Sequence, residues 1–386
     1  MNRLRHERRQ RLQNRFERIR IDQGTGADGQ RTGLRYALDK APLSTLRHLI
    51  TERSVSRALR AVVAHALLER LGEQRILRDA GSGGRKRDGW RRIVALHTLV
   101  HARPLESLDS LQRALADGGP AVVGEAVMLL GQLPDPRAAE ILVRALAEGR
   151  GTRSRIATAL DVFPIDVADR IVPMLTSDKP AVRYWGAMLM QRYAARPGVG
   201  AQLETLASDR EPLVRRAAIE SIAAVGGPVA VAAARARLSD AVSFVRAHAA
   251  RTLGILAARD AVEAVLPLLA DEDWWVRYAV KQSLEAMGLE IADAIVPYLS
   301  HADAFARNGA AEVLQNLGAF ERLLVQEASA SPDPQRLATL GLLARAGGVR
   351  MWDSVLARLD GAAQARARQV LADIQLDASH SEQRGA

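Results

Sequence analysis

The chain has no cysteine in its 386 residues, which excludes disulfides, thiolate metal sites and cysteine nucleophiles together. Aromatic residues are nearly as scarce, with five each of Trp, Tyr and Phe. No apolar run approaches the ~18 residues that a membrane-spanning helix needs. The Arg-rich beginning lacks the apolar core of a secretory signal, so a cytoplasmic location is the expectation. No G-x-S-x-G elbow is present, and the glycine-rich Gly81–Gly89 (GSGGRKRDG) lacks the GK[ST] ending of a phosphate loop.

What is present is apolar, at 48% of residues, and carries a net charge of +10. The charge is uneven. Residues 1–92 hold 23 Lys/Arg against 10 Asp/Glu, whereas the remainder holds 31 against 34. Met1–Ile21 alone contains eight arginines around a narrow stripe of Leu12, Phe16 and Ile19 at helical spacing.

The most legible stretch is Asp271–Leu299, DEDWWVRYAVKQSLEAMGLEIADAIVPYL. Val276, Val280 and Leu284 recur at i, i+4 and i+8, one face of a helix. Asp271 or Asp273 stands where a short acceptor side chain caps a helix, and Met287-Gly288 marks its end. Ile291 through Leu299 forms a second apolar run that packs back antiparallel. Two such helices cannot bury both apolar faces alone, so neighbours must stack on them.

The unit recurs. With Arg277 as marker, the equivalents are Arg92, Val123, Arg153, Arg183, Arg215, Arg246 and Arg307, spaced 30–32 residues apart. Three residues on from each marker stands Ala95, Ala126, Ile156, Gly186, Ala218, Ala249, Val280 or Ala310, mostly small, as close helix contact requires. Seven on comes a large core residue: Leu99, Leu130, Leu160, Met190, Ile222, Leu253, Leu284, Leu314. A degraded ninth unit follows around Arg336 and Leu343.

The pattern Asp-x(4–5)-Val-Arg-x-x-Ala-x-x-x-Leu, as in Asp209…Val214-Arg215…Ala218…Ile222, resembles HEAT repeats. The short, alanine-rich form is most similar to the bacterial HEAT-like repeats of phycobilisome lyases. The resemblance implies an all-α, right-handed α-α superhelical solenoid whose concave face, lined by second helices, binds another protein. It also implies that the arginines Arg183, Arg215, Arg246, Arg277 and Arg307 form a structural ladder with acids of adjacent units, for which Asp178, Asp209, Asp240, Asp271 and Asp303 recur. Enzymes on similar scaffolds give the alternatives: a lyase acting on a tetrapyrrole-bearing protein, or a DNA-repair glycosylase, for which Trp274, Trp275 and Asp273 could mimic an aromatic cleft with its acid. Deoxyhypusine hydroxylase uses repeated His-Glu pairs, and the single His6-Glu7 here, outside the repeats, does not support that activity.

The expected layout is a basic arm and linker over 1–32, an irregular helical cap over 33–88, the solenoid over 89–375 and a disordered tail over 376–386. Ser54 is the expected cap of a helix Val55–Leu71. Pro173, Pro267 and Pro297, in IVPML, VLPLL and IVPYL, are expected to bend second helices.

Two sets of residues are candidates for binding. Arg5, Arg8, Arg9, Arg11, Arg15 and Arg18 suit an acidic surface, either an anionic membrane or nucleic acid. The same arm could instead be a segment following a hydrophobic anchor, or a solvated charged tail. Tyr184, Trp185, Trp274 and Tyr278 are the candidate protein contacts, since Trp and Tyr are favoured at binding hot spots. His97 and His101, at i and i+4, have a spacing that can hold a metal, but HTLVH lacks a zincin glutamate and a third ligand. The expectation is a non-catalytic protein-binding scaffold, cytoplasmic or peripheral to the inner membrane, with no cofactor and no metal.

Overall fold

A computed structural model describes residues 36–81, 88–329, 333–345, 356–357 and 359–384. The described residues are helical, with no strand among them. The arm residues Arg5, Arg8, Arg9, Arg11, Arg15 and Arg18 lie outside them, as does most of the glycine-rich loop. Contacts divide the chain into two compact units, Met1–Val182 and Arg183–Ala386.

In the first unit, Leu38, Leu46, Ile50, Val55, Leu59, Val63 and Leu67 form one buried cluster that reaches Val94 of the first repeat helix. Ser56, not Ser54, caps the helix Arg57–Leu71, its hydroxyl accepting the Leu59 N–H at 3.3 Å. The difference is geometric: a cap serves N–H groups two or three residues on, and only Ser56 has that reach to the first turn. Helices Gly89–Ala102, Pro120–Gly131 and Arg153–Asp161 are the first helices of successive repeats, and Leu108–Asp117 and Pro136–Glu148 are partners that pack beside them. Asp135, after Pro134, caps Pro136–Glu148 through the Arg137 N–H at 2.8 Å.

In the second unit the first helices are Pro212–Ile222, Ser243–Ile255, Trp274–Met287 and Ala304–Asn316. The large repeat residues Ile222, Leu253, Leu284 and Leu314 are completely buried, as are the small ones, Ala218, Ala249, Val280 and Ala310. Adjacent first helices approach closely at Gly254, where an added Cβ would stand 2.7 Å from the Ser283 Cα.

The second helices differ from one another. Pro173 lies inside the helix Ala168–Leu175, which stays continuous. Pro267 and Pro297 instead follow four-residue α-turns, Val262–Val265 and Ala292–Ile295, and the chain tightens into the 3₁₀ segments Leu266–Ala270 and Val296–Ser300. Proline has no N–H to donate and crowds the preceding turn, which makes the change of helix type inexpensive there.

The helix Gly361–Arg384 runs through 376–384, where a disordered tail was expected. No Gly or Pro falls between its first residue and Arg384, and its Ala, Gln and Leu content favours continuation.

Candidate docking surface

The marker arginines of the second unit are built alike. Arg183 reaches Asp209 through Nε at 2.6 Å and Nη2 at 2.8 Å. Arg215 grips Asp240 at 2.7 Å through both nitrogens, and Arg246 grips Asp271 at 2.8 and 2.9 Å. The remaining nitrogen, Nη1, donates to the carbonyl six residues back: Asp209 O for Arg215 and Asp240 O for Arg246. Each acid also closes its own turn, with one oxygen accepting the N–H two residues on, from Glu211, Val242 or Asp273.

Burial raises the pKa of Asp209 and Asp240, but the arginine forks and the turn N–H groups outweigh it and hold both carboxyls below the usual range. The fork from Asp271 in turn raises the Arg246 pKa. These pairs are nearly excluded from water, so their bidentate geometry is needed to offset desolvation.

The pattern stops at Arg277. Its Nη1 still donates to Asp271 O at 2.7 Å and to Glu272 O at 3.0 Å, yet among the described residues no carboxylate meets Nε and Nη2. The acid expected for the next unit, Asp303, serves as helix cap instead and accepts the Ala306 N–H at 2.9 Å. The true counterpart of Asp271 is His301, whose Nδ1 accepts the Asp303 N–H at 3.0 Å. Its ring lies parallel to Tyr298, centroids 5.3 Å apart. Among the described residues Arg307 likewise bonds only carbonyls, of His301 and Ala302. Among the described residues the five-arginine ladder is therefore acid-paired at Arg183, Arg215 and Arg246 and not at Arg277 and Arg307. The offset shows why: paired acids stand six residues before the next marker, and Asp303 stands only four before Arg307.

Around Arg277 the surface opens into a pocket of about 280 Å³ lined by Trp274, Arg277, Tyr278, Phe305, Asn308 and Gly309, among others. Phe305 packs over the guanidinium, its centroid 4.2 Å from the Arg277 Cζ. Trp274 is 64% exposed and Phe305 59%. Trp275 stands edge-on to Trp274 at 5.2 Å and stacks on Tyr278 at 5.5 Å, with the Arg251 guanidinium over the Trp275 ring at 5.6 Å. Asp273 caps this helix through the Trp275 N–H at 2.8 Å. Hydrogen bonds from Ser243 and from that N–H hold its carboxyl below the ordinary range.

Tyr184 and Trp185 form a separate edge-on pair at 5.1 Å, half-buried, with Arg216 over the Tyr184 ring and hydrogen-bonded to its hydroxyl at 3.1 Å. The candidate contacts thus fall into two groups. Both lie on first helices; among the described residues the second helices carry no comparable exposed aromatic cluster.

His97 is buried, and its Nε2 meets Glu125 Oε2 at 3.1 Å. The His101 ring stands 6.0 Å away, tilted by 36°. Burial above all, then Arg60, His97 and Arg57, push its pKa down to about 4. Groups of three or more residues suited to a metal do not occur among the described residues.

Sequence reasoning missed two features. Two residues before the marker stand Leu213, Phe244, Trp275 and Phe305 in the second unit, as Trp90 does in the first repeat, a row of large apolar side chains readable at the repeat period. Six after it stand Ser221, Thr252 and Ser283. The last two donate across to the preceding helix, at Ile219 O (3.2 Å) and Ala250 O (2.7 Å). A small hydroxyl among apolar neighbours gave no hint of this.

An all-helical stack of paired helices, repeated at a fixed period and tied by Arg–Asp clasps, is a helical-repeat protein. The family model for HEAT repeats matches residues 168–253 and 235–315, and that stretch of the chain is made of HEAT repeats. Among curated proteins none matches it. Solved structures similar to it include the CpcE–CpcF complex of phycocyanin lyase from Nostoc, at 21% identity over 55% of this chain and 89% of that one, with a TM-score of 0.33. Human deoxyhypusine hydroxylase with glycerol is 19% identical over 66% of this chain and 99% of that one, at 0.28. Kap121p bound to Pho4p is 16% identical over 93% of this chain and 47% of that one, at 0.48.

Proposed function

We propose that the chain is a non-catalytic protein-binding scaffold and that the Trp274–Tyr278–Phe305 surface is its docking point. The observation that carries this is the exposed cluster itself. In a chain with fifteen aromatic residues, Trp274, Trp275, Tyr278 and Phe305 converge on one pocket or its rim, partly open to water. Exposed apolar surface is costly to keep and marks interaction sites, with Trp, Tyr and Arg the commonest anchors. The surface belongs to first helices, so a partner is taken by their N-terminal turns rather than by the second helices. Asp273, the acid a glycosylase reading would use, is committed as the cap of the same helix.

The basic arm adds a second attachment in this proposal. Its eight arginines suit an anionic membrane slightly better than nucleic acid, because the repeats beyond it are near neutral and offer no continuing basic stripe. No helix among the described residues is long and apolar enough to cross a membrane.

The test is photo-crosslinking in cells with a photoreactive residue at position 274 and, as control, at exposed Val229 in the same unit. A discrete protein adduct from 274 and none from 229 is the expected result. Equal labelling at both positions, or none at 274, rejects the docking surface.

A further inference from the structure

We infer that the open edge of Arg277 is a receptor for a carboxylate side chain of the partner, an Asp or Glu flanked by an apolar residue. This deepens the docking proposal above and rests on it.

The argument begins with posture. Arg215, Arg246 and Arg277 all hang Nη1 on the carbonyl six residues back, at 3.0, 2.9 and 2.7 Å. In Arg215 and Arg246 that bond goes with Nε and Nη2 turned to the next unit's acid, and the same Nη1 anchor in Arg277 directs its fork to the equivalent position. In the first two the seat is taken, by Asp240 and Asp271. At the third the residue is His301, turned onto Tyr298 and bonded to its own turn. Phe305 packs against the Arg277 guanidinium, and among the described residues no acceptor meets its Nε or Nη2. A guanidinium with one face on an aromatic ring and a free N–H fork is pre-organised for bidentate carboxylate binding.

The surroundings match that ligand. Lys281 is matched by Glu312 at 2.6 Å, which leaves Arg277 as the uncompensated charge of the pocket. Asn308 adds an amide on the same wall, and Trp274 and Phe305 offer apolar surface for the neighbouring side chain. The chain's own acids show the pattern such a ligand would copy: Asp209, Asp240 and Asp271 are each followed four residues later by Leu213, Phe244 or Trp275. A side-chain carboxylate within a segment, rather than a chain terminus, is the form the ladder already accepts.

The test selects binders from a displayed library of short random peptides on the full chain. It then measures affinities for that chain and for Arg277→Gln, Trp274→Ala and His301→Asp. The selected peptides are expected to carry Asp or Glu beside an apolar residue. Neutralising that acid to Asn or Gln should weaken binding about tenfold or more, as loss of a charged hydrogen-bond pair does, and Arg277→Gln should abolish the difference. His301→Asp places an acid in the seat; it should block the peptides while raising the melting temperature, so a folding defect cannot mimic the result. Peptides that need Trp274 but ignore both Arg277→Gln and neutralisation of their acid would overturn the carboxylate inference and leave the docking surface standing. Peptides sensitive only to amidation of their C-terminus would overturn the side-chain assignment. Failure to find any peptide that depends on Trp274 would remove both proposals.

Discussion

Arg246 holds Asp271 with both nitrogens of its fork, and Asp271 in the same geometry receives the N–H of Asp273. Neither charge has much water to fall back on. Arg246→Ala therefore strands a buried carboxylate and is expected to cost about 3–5 kcal/mol. Arg277→Ala removes two carbonyl bonds and the Phe305 stacking at a half-buried site, strands no charge, and should cost about 1–2 kcal/mol. Chemical denaturation of the two variants side by side checks this, and equal losses would mean the clasp contributes nothing of its own.

Leu253 and Leu284 occupy the same completely buried position in adjacent repeats. Replacing either with Ala should cost about 2–5 kcal/mol through lost transfer energy and the cavity left behind. A loss below about 1 kcal/mol would contradict the core register.

Gly254 is a close contact between neighbouring first helices. A side chain there meets the Ser283 backbone at 2.7 Å and its Oγ at 2.9 Å, and that hydroxyl is already held by Ala250 O. Gly254→Val should push the helices apart and cost about 1–3 kcal/mol, whereas Gly119→Ala, with nothing within 4 Å of the added carbon, should change little. Thermal melts of both variants give the comparison.

Acid should destabilise the chain in two windows. Unfolded His101 takes up a proton near pH 6.5, but in the folded protein burial and the nearby cations delay this to about pH 4. Between those values the unfolded state binds more protons, so stability falls as pH falls. Asp209 and Asp240 act lower down. Their folded pKa values lie below the ordinary value of about 3.9, so their contribution is complete above that pH and is lost as pH drops through the folded values. Urea midpoints from pH 7 to 3 should show both declines. In His101→Leu the upper one should vanish; its persistence would assign it to another group.

Much of this fold was readable because helix stacking repeats its demands. A small residue where backbones meet and a large one four positions on recur with the repeat, and the marker arginine makes the period countable. The end of the ladder was harder to read because Asp serves two purposes. Asp303 caps a helix and Asp271 clasps an arginine, and residue type alone does not separate these roles; only the six-residue offset to the marker does. Second-helix prolines were visible, but not that two of them switch the helix type while Pro173 does not. Nothing in the sequence marks Phe305 as the cover of Arg277, because the contact joins side chains of adjacent repeats.

The double duty of the ladder acids also governs how the second unit comes apart. Asp209, Asp240 and Asp271 each complete their own turn with the same oxygen that a preceding arginine grips. Loosening one repeat thus unlatches the start of the next, and the stretch from Arg183 to Asp271 should open as one cooperative block. His301 finishes its turn by itself, without Arg277. It acts as a firebreak: amides of Ala304–Asn316 are expected to exchange with solvent on their own schedule, while those upstream wait for the block to yield.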